Sequence, residues 1–167
     1  MSDVLLIIAP ENFRDEELFH TKEEIEKSGH KTTIASIKKE ESVGMLGGKT
    51  VPEKTIYEIN ENDYDVVVFV GGSGASIYFN NERALEIVKR FYEKNKVVAA
   101  ICIAPSILAN AGILKNRRVT CWESESENIE QKGAKYTGNS VEIDGKIITA
   151  NGPNAAREFG KKISELI

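Results

Sequence analysis

Short runs of apolar residues without polar alternation constrain the fold of this chain more than any other feature. They predict strands over Val4–Ile8, Asp65–Val70 and Val97–Ile101. Such runs are typical of strands that are covered on both faces, as in parallel sheets. The segment Asp15–Ser28 has a helical composition, and Gly29 is placed to end that helix. Because strand and helix alternate along most of the chain, we expect an α/β fold with helices on both faces of a mostly parallel sheet.

The other predicted elements complete this pattern and add one antiparallel feature. Asp144-Gly145 is a hairpin signal between Val141–Ile143 and Lys146–Thr149. Pro153 stands at the expected first position of a C-terminal helix that reaches Leu166. The remaining predicted elements are a strand over Thr32–Ile37, an irregular turn at Gly44, Gly47 and Gly48 with short strands around Met45 and Thr50, a helix capped by Asn81 and reaching Phe91, helices over Pro105–Ala111 and Glu125–Lys132, and a short strand at Val119-Thr120.

Length and charge exclude several classes of protein. The 167 residues contain no repeat and no linker, so we expect a single domain over residues 1–167. A net charge of −4, with no basic cluster larger than Arg117-Arg118, argues against nucleic-acid binding. No apolar run approaches the roughly 18 residues that span a bilayer, and the N-terminus lacks the basic start of a signal peptide, so we expect a cytoplasmic protein without a membrane partner. No His, Cys and acid set has ligand spacing, so neither a metal nor another cofactor is expected.

A cysteine follows the strand Val97–Ile101, at the carboxyl end where parallel sheets place their functional crevice. The passage Cys102-Ile103-Ala104-Pro105 goes abruptly from strand to helix and resembles a nucleophile elbow. A thiol at a helix N-terminus meets unpaired N–H groups and the positive end of the helix dipole, and both favour the thiolate. The alternative is that Cys102 is a small buried apolar residue that fills a gap.

Two other strand ends meet the same crevice. Gly71-Gly72-Ser73-Gly74 follows Asp65–Val70 and can turn backbone N–H groups towards an oxyanion beside Cys102, although a plain tight turn is the alternative. After the first strand, Glu16 and Glu17 stand in a charged helix start. One of these carboxyls, turned inward, would hydrogen-bond the cysteine sulfur, and burial would raise its pKa. From the residues alone the choice between Glu16 and Glu17 stays open, as does a solvated helix start.

Three motifs together resemble those of a known family. They are Phe13–Leu18, similar to Phe-Glu-Asp-x-Glu-Leu, Ala99–Pro105, similar to Ala-x-Ile-Cys-His/Ala-Gly-Pro, and Ile143–Pro153, similar to Val-Asp-Gly-Asn-Leu-Ile-Thr-Ser-Arg-Gly-Pro. These motifs are those of the DJ-1/PfpI superfamily, which is class I glutamine amidotransferase-like. The resemblance covers essentially the whole chain with matching spacings.

The resemblance implies a flavodoxin-like three-layer sandwich that forms a homodimer or a larger homo-oligomer. It selects Glu17, rather than Glu16, as the hydrogen-bond partner of a nucleophilic Cys102. It also implies that the backbone N–H groups of Gly72 and Ile103 bind an oxyanion. The candidate pocket residues are Gly71, Ser73, Trp122 and His20.

Several of these candidates have an ordinary structural alternative. His20 follows Glu17 by three residues and so shares its helix face, but a surface or interface histidine is the commoner case. Trp122 either lines the pocket or packs in the core. Cys121 is most simply a strand residue, and a disulfide with Cys102 stays open.

The chain departs from the family pattern at the positions that supply bases. Ile103 stands where the protease-like branch has a histidine after the cysteine, and isoleucine cannot accept a proton. The segment Ser73–Tyr78 lacks the glutamate that this branch takes from a neighbouring subunit, and Trp122 replaces a histidine of other members. These departures argue against peptide hydrolysis but leave the pair Glu17 and Cys102.

The resemblance and its departures lead to three hypotheses of function. The first is a cysteine-dependent, stress-protective enzyme that acts on reactive carbonyls or their protein adducts, in the manner of a glyoxalase or deglycase, through Glu17 and Cys102. The second is a redox sensor or chaperone-like protein without turnover, in which Cys102 is oxidised to sulfenic or sulfinic acid. The third is a PfpI-type intracellular cysteine protease, which requires a base from elsewhere in an oligomer.

Overall fold

Twelve strands and five α-helices make up the computed structural model, which describes residues 1–167. The strands are β1 (Asp3–Ile7), β2 (Glu11–Phe13), β3 (Lys31–Ser36), β4 (Ser42–Gly44), β5 (Lys49–Thr50), β6 (Lys54–Thr55), β7 (Val66–Phe69), β8 (Val97–Ile101), β9 (Arg118–Val119), β10 (Lys135–Tyr136), β11 (Val141–Asp144) and β12 (Ile147–Ala150). The α-helices are α1 (Asp15–Lys27), α2 (Glu82–Glu93), α3 (Pro105–Asn110), α4 (Ser126–Gln131) and α5 (Ala156–Glu165). Short 3-10 helices cover Ile56–Glu58, Glu61–Asp63, Ser73–Tyr78, Glu123–Glu125 and Pro153–Ala155. None of the helices is both long and apolar enough to cross a membrane.

Seven strands form the central sheet, in the spatial order β11-β12-β8-β7-β1-β3-β6. All neighbours in it are parallel except β11 and β12, which form the antiparallel hairpin. From β1 the chain first winds to β3 on one side and then to β7, β8 and β12 on the other. This doubly wound order brings the carboxyl ends of β1, β7 and β8 to the same edge of the sheet.

Two apolar cores cover the two faces of the sheet, because successive side chains of a strand point to opposite sides. One core joins Leu5 and Val67 of the strands to α2 and α3, and the other joins Leu6 and Val68 to α1 and α5. The helices α1 and α5 pack closely, since a Cβ built on Gly160 of α5 would lie 2.9 Å from both the Thr21 carbonyl oxygen and the Glu24 Cβ of α1. This packing holds the N-terminus of α1 over the carboxyl ends of the strands.

The expected three-layer fold with a small antiparallel part is confirmed. The C-terminal helical segment begins at Pro153 as expected, but its first turn is not α-helical. Pro153–Ala155 forms a 3-10 turn, in which the Ala155 N–H donates to the Gly152 carbonyl at 3.0 Å, and α5 begins at Ala156. Proline lacks an N–H and fits the first turn of either helix type, so its position alone does not distinguish them. No sequence pattern predicts β2 or the 3-10 helix Ser73–Tyr78.

Candidate active site

Cys102 lies at the sharp turn between β8 and α3, with its backbone in the left-handed region at a φ of 66°. Few residues other than glycine adopt this conformation, and it is typical of a strained functional turn. The Cys102 N–H donates to the Ala150 carbonyl at 2.9 Å, and the Trp122 N–H donates to the Cys102 carbonyl at 2.7 Å. The residue is 8% exposed. The abrupt strand-to-helix turn expected from the sequence is therefore present.

Glu17 lies in the first turn of α1 and is fully buried. Neither of its carboxyl oxygens has a partner at full hydrogen-bonding geometry. The carboxyl and the Cys102 side chain meet around Gly71, because a Cβ built on Gly71 would overlap Glu17 Oε1 and would lie 2.5 Å from Cys102 Cβ. Only a glycine at this position leaves the carboxyl and the thiol so close, and together they form one site.

Burial controls the protonation of this pair. Desolvation raises the pKa of Glu17 to about 8, against the opposing effects of the Cys102 side chain and the Gly71 N–H. Desolvation and then the negative charge of Glu17 raise the pKa of Cys102 to about 12, although the N–H groups of Gly72 and Ile103 act in the opposite direction. Burial thus opposes the thiolate that the start of α3 is expected to favour, because loss of water around the thiol affects its pKa more than the N–H donors do. The two groups titrate as one coupled pair, and the first proton is lost near the pKa of Glu17.

The turn after β7 is locked against the start of α1. Gly72 has a φ of 100°, and a Cβ there would overlap the backbone nitrogen of Arg14. The Arg14 N–H donates to the Gly71 carbonyl at 2.9 Å. In this arrangement the N–H groups of Gly72 and Ile103 both act on the Cys102 sulfur. These are the two donors that the family resemblance assigns to an oxyanion.

Glu16, the other candidate carboxyl, is held away from the thiol. It accepts two hydrogen bonds from the Arg14 guanidinium group, at 2.9 and 3.1 Å. These bonds lower the pKa of Glu16, and the nearby His20 has a smaller effect in the same direction. The structure thus brings Glu17, and not Glu16, to Cys102. It places His20, which is half-buried, beside Glu16.

A cavity of about 650 Å³ opens beside the elbow. Of the four candidate pocket residues, only Trp122 lines it. The Trp122 ring lies over Gly152, where an added Cβ would be 2.9 Å from the ring atom Cε3. Gly71 is buried at the pair described above, and Ser73 is exposed on the turn after β7.

Two further side chains, Asp15 of the Phe13–Leu18 motif and Ser106, tie the surrounding loops together. The Asp15 carboxylate accepts hydrogen bonds from the Leu46 N–H at 2.8 Å and the Gly48 N–H at 2.7 Å, which joins the loop after β4 to the start of α1. The Ser106 hydroxyl donates to Glu125 at 2.7 Å, which joins the segment after β9 to α3. The glycines of the β4 loop are the only sequence signal for the first contact, and nothing in the sequence marks the second.

Cys121 is separated from Cys102 by the central sheet. The two side chains belong to the cores on opposite faces, and both thiols are free. The disulfide that the sequence leaves open is therefore not formed. No three His, Cys, Asp or Glu side chains lie together as a metal-ligating group.

Comparison with known proteins places these features in a family. The model described as the DJ-1/PfpI family matches residues 2–166. The chain belongs to the DJ-1/PfpI family. The match covers the elbow, the helix start with Glu17 and the hairpin, so the resemblance inferred from the three motifs is confirmed.

This DJ-1/PfpI member has archaeal and bacterial relatives over nearly its whole length. Uncharacterized protein MJ0967 of Methanocaldococcus jannaschii is 47% identical, over 98% of this chain and 82% of the relative. Deglycase TK1284 of Thermococcus kodakarensis is 30% identical, over 94% of this chain and 97% of the relative. The crystal structure of the ThiJ/PfpI domain protein from Brachyspira murdochii has a TM-score of 0.96 and 32% identity, covering 98% of this chain and 95% of that one. The Brachyspira murdochii structure shares the three-layer fold.

Proposed function

We propose that this chain is a cysteine-dependent, stress-protective enzyme that acts on reactive carbonyl compounds or their protein adducts. One observation carries the proposal: Glu17 is fully buried, neither of its carboxyl oxygens has a partner at full hydrogen-bonding geometry, and it meets an elbow cysteine across a glycine. A buried carboxyl without a well-formed hydrogen bond is costly for folding and is typical of a site for chemistry. The relative named Deglycase TK1284 supports this class of reaction.

The geometry supports attack of the sulfur on an aldehyde carbon, with methylglyoxal as the simplest substrate. As the Cys102 sulfur bonds to the carbonyl carbon, the thiol proton passes to the ionised carboxylate of Glu17. The carbonyl oxygen becomes an oxyanion, which the N–H groups of Gly72 and Ile103 stabilise until Glu17 returns the proton to it and is itself ionised again. The product of this step is a hemithioacetal.

The same carboxyl supports the steps that follow. Glu17 removes a proton from the carbon bonded to sulfur and returns it to the neighbouring carbon, while the hydroxyl proton of the hemithioacetal passes to the neighbouring carbonyl oxygen, and the product is a thioester. Water then cleaves the thioester, which releases lactate and regenerates the free Cys102 thiol. Methylglyoxal and water together contain all the atoms of lactate, so no external oxidant or reductant is needed.

Methylglyoxal turnover by the purified protein tests this function. We expect Cys102→Ser to abolish turnover and Cys121→Ser to retain it. The second variant is a matched control, because Cys121 is also a buried thiol but lies in the core on the other face of the sheet. Equal turnover by Cys102→Ser and the unmodified protein would contradict the proposal.

A redox role is the second candidate, because two N–H groups act on the Cys102 sulfur. Peroxide would oxidise the thiol to sulfenic and then sulfinic acid, and these donors would stabilise the negative oxygens. The intact mass after mild peroxide treatment distinguishes the two roles. Oxygen addition that is lost in Cys102→Ser, in a protein that does not turn over methylglyoxal, would favour the redox role.

We also propose that the protein works in the cytoplasm as a homodimer or a larger homo-oligomer. Two free cysteines fit a reducing compartment. Met45 and Leu46 expose 42% and 64% of their surface on the loop after β4, and adjoining apolar side chains of this kind are typical of an interface. A monomeric mass by light scattering would contradict the oligomer.

A further inference from the structure

Two hydrogen bonds hold the strained backbone of Cys102, one on each side. A φ of 66° in a residue other than glycine persists only where the surrounding structure holds it. On the side of the sheet, the Cys102 N–H donates to the Ala150 carbonyl at 2.9 Å. On the other side, the Trp122 N–H donates to the Cys102 carbonyl at 2.7 Å. Trp122 begins a segment outside the sheet, residues 122–128, which we call the strap. The elbow therefore depends on what holds the strap.

A fully buried serine of α3 holds the strap at two points. Ser106 lies one turn after Cys102. Its hydroxyl donates to the Glu125 carboxylate at 2.7 Å and accepts from the Asn128 side-chain amide at 3.1 Å. The Glu125 N–H in turn donates to the Trp122 carbonyl at 2.9 Å. Ser106 is thus connected through the strap to the residue that bonds the elbow.

The same network extends to the segment that follows the turn after β7. The Asn128 amide also donates to the Asn110 side-chain oxygen at 3.2 Å. The Asn110 amide donates to the Phe79 carbonyl at 2.8 Å, just after the 3-10 helix Ser73–Tyr78. The four side chains of this network are Ser106, Asn110, Glu125 and Asn128. They join the strap, α3 and the segment after the turn of β7, which are three of the segments around the site.

The network is cooperative because its members depend on one another. Glu125 takes part in no ion pair, so the Ser106 hydroxyl is the partner of its inner oxygen. Hydrogen bonds to a charged group are stronger than those between neutral groups, and a buried polar group left unpaired is costly. Such networks make their surroundings rigid when every member is satisfied. No member of the network hydrogen-bonds the Cys102 thiol, so its effect reaches the site through the backbone.

We propose that Ser106 is a positioning residue for Cys102. Through Glu125 and Asn128 it holds the strap, and the strap holds the Trp122 N–H on the elbow. The elbow then keeps the sulfur beside the N–H groups that stabilise the oxyanion. The inference rests on the proposed function for the reaction that is positioned, whereas the support of the elbow is a property of the fold.

The variant Ser106→Ala tests the proposal, because it removes one oxygen atom and leaves the packing of α3 in place. We expect amide hydrogen exchange at Trp122, resolved by NMR, to become about tenfold faster or more. We expect kcat for methylglyoxal to fall about tenfold, since a misplaced sulfur slows the reaction. KM should change by less than about twofold, because the substrate enters the same site.

Ser36→Ala is the matched control. Ser36 is also fully buried, and its hydroxyl donates to the Ile8 carbonyl at 2.7 Å, where the Tyr78 hydroxyl remains as a second donor at 2.8 Å. It lies in β3, outside the strap and α3. Ser36→Ala should therefore leave Trp122 exchange and kcat unchanged, and urea unfolding of both variants shows what each loses in stability.

Two variants of Glu125 separate the hydrogen bond from the charge. Glu125→Gln keeps an oxygen that accepts from Ser106, so it should retain kcat and slow exchange at Trp122. Glu125→Ala should reproduce the effects of Ser106→Ala. Because Glu125 is only half-buried, this variant also provides the test if Ser106→Ala does not fold.

Exchange and turnover fail separately. Unchanged exchange at Trp122 in Ser106→Ala, or in Glu125→Ala where the first variant does not fold, would overturn the proposal. So would faster exchange with an unchanged kcat, or an equal fall of kcat in Ser36→Ala. If the unmodified protein does not turn over methylglyoxal, the proposed function fails, and the exchange at Trp122 alone decides whether the network supports the elbow.

Discussion

Glu16 and Glu17 are neighbours in α1 and share an ordinary pKa of 4.5, but their surroundings shift them in opposite directions. The hydrogen bonds from Arg14 lower the pKa of Glu16, whereas burial raises that of Glu17 to about 8. Glu17 is consequently available as a proton carrier near neutral pH. Only its position on the inner face of α1, against Gly71 and Cys102, separates its role from that of Glu16.

The raised pKa of Glu17 predicts a specific pH dependence of stability. Between pH 4.5 and about 8 the unfolded chain loses this proton while the folded chain keeps it. The free energy of unfolding therefore falls as the pH rises through this window, by on the order of 5 kcal/mol relative to Glu17→Gln, which cannot ionise. Urea unfolding of both proteins at several pH values measures the difference. Glu16→Gln is the control, since it leaves the Glu17 contribution in place and should show the same fall as the unmodified protein.

The same pair predicts the pH dependence of activity. Because the first proton is lost near the pKa of Glu17, about 8, we expect kcat/KM for methylglyoxal to rise with pH and to level off above that value. In Glu17→Gln this rise of kcat/KM with pH should disappear or move to higher pH, and turnover should fall about 100-fold or more. Initial rates between pH 6 and 10 test this. A profile that is flat across this range in the unmodified protein would show that the pair does not limit the reaction.

At the level of elements, the site depends on the close approach of separate turns. The turn after β7 contacts the start of α1 at Gly72. Gly71 of the same turn lies between Glu17 of α1 and Cys102 of the elbow after β8. Because glycine has no side chain, these segments approach closely enough for a carboxyl, a thiol and two N–H groups to converge. The site is thus a property of how the turns pack, and small changes of volume at these glycines should disrupt it.

Gly72→Ala and Gly29→Ala separate the two reasons for which a glycine is needed. Both glycines have a positive φ, 100° and 93°, but a Cβ on Gly72 would overlap Arg14 whereas one on Gly29 meets nothing within 4 Å. We expect Gly29→Ala to cost about 1 kcal/mol for the backbone conformation alone. Gly72→Ala should cost at least about 2 kcal/mol more and lower turnover. Urea unfolding compares them, and equal costs would show that the contact with Arg14 relaxes freely.

At the scale of the whole molecule, the sheet divides the chain into two chemically separate halves. The core with α1 and α5 contains Cys102 and supports Glu17, whereas the core with α2 and α3 contains Cys121. Only the carboxyl edge of the sheet connects them, and the cavity opens at that edge. The two thiols therefore face different cores, although Trp122, which follows Cys121, donates its N–H to the Cys102 carbonyl at 2.7 Å.

This separation predicts the outcome of mild oxidation. With a thiol-specific oxidant such as diamide, the folded protein should form no intramolecular disulfide, because Cys102 and Cys121 lie on opposite faces of the sheet. The same treatment in denaturant should form it, since the unfolded chain lets the thiols meet. Intact mass without reductant measures the loss of two hydrogens. A disulfide formed at once in the folded state would contradict the separation.

Much of the fold follows from local patterns. Runs such as Val4–Ile8 and Val97–Ile101 contain no polar residue, so a strand with both faces covered is the arrangement that buries them, and the helices between them follow from alternation. Cys102 stands out because it ends such a strand, and Glu17 because it matches a motif. Local patterns do not distinguish a 3-10 turn from an α-helix at Pro153, and they do not reveal β2, which exists only through its pairing with β4.

The amino-acid sequence alone determined the layered architecture, the strand end that carries the thiol and the family to which the chain belongs, because each of these depends on residues that are close together in the chain. The tertiary structure decided the protonation of the Glu17 and Cys102 pair, the separation of the two thiols and the cavity beside Trp122. These properties depend on burial and on contacts between distant segments. Loss of water around the thiol affects its pKa more than the N–H donors do, and only the packed molecule shows how much water is lost.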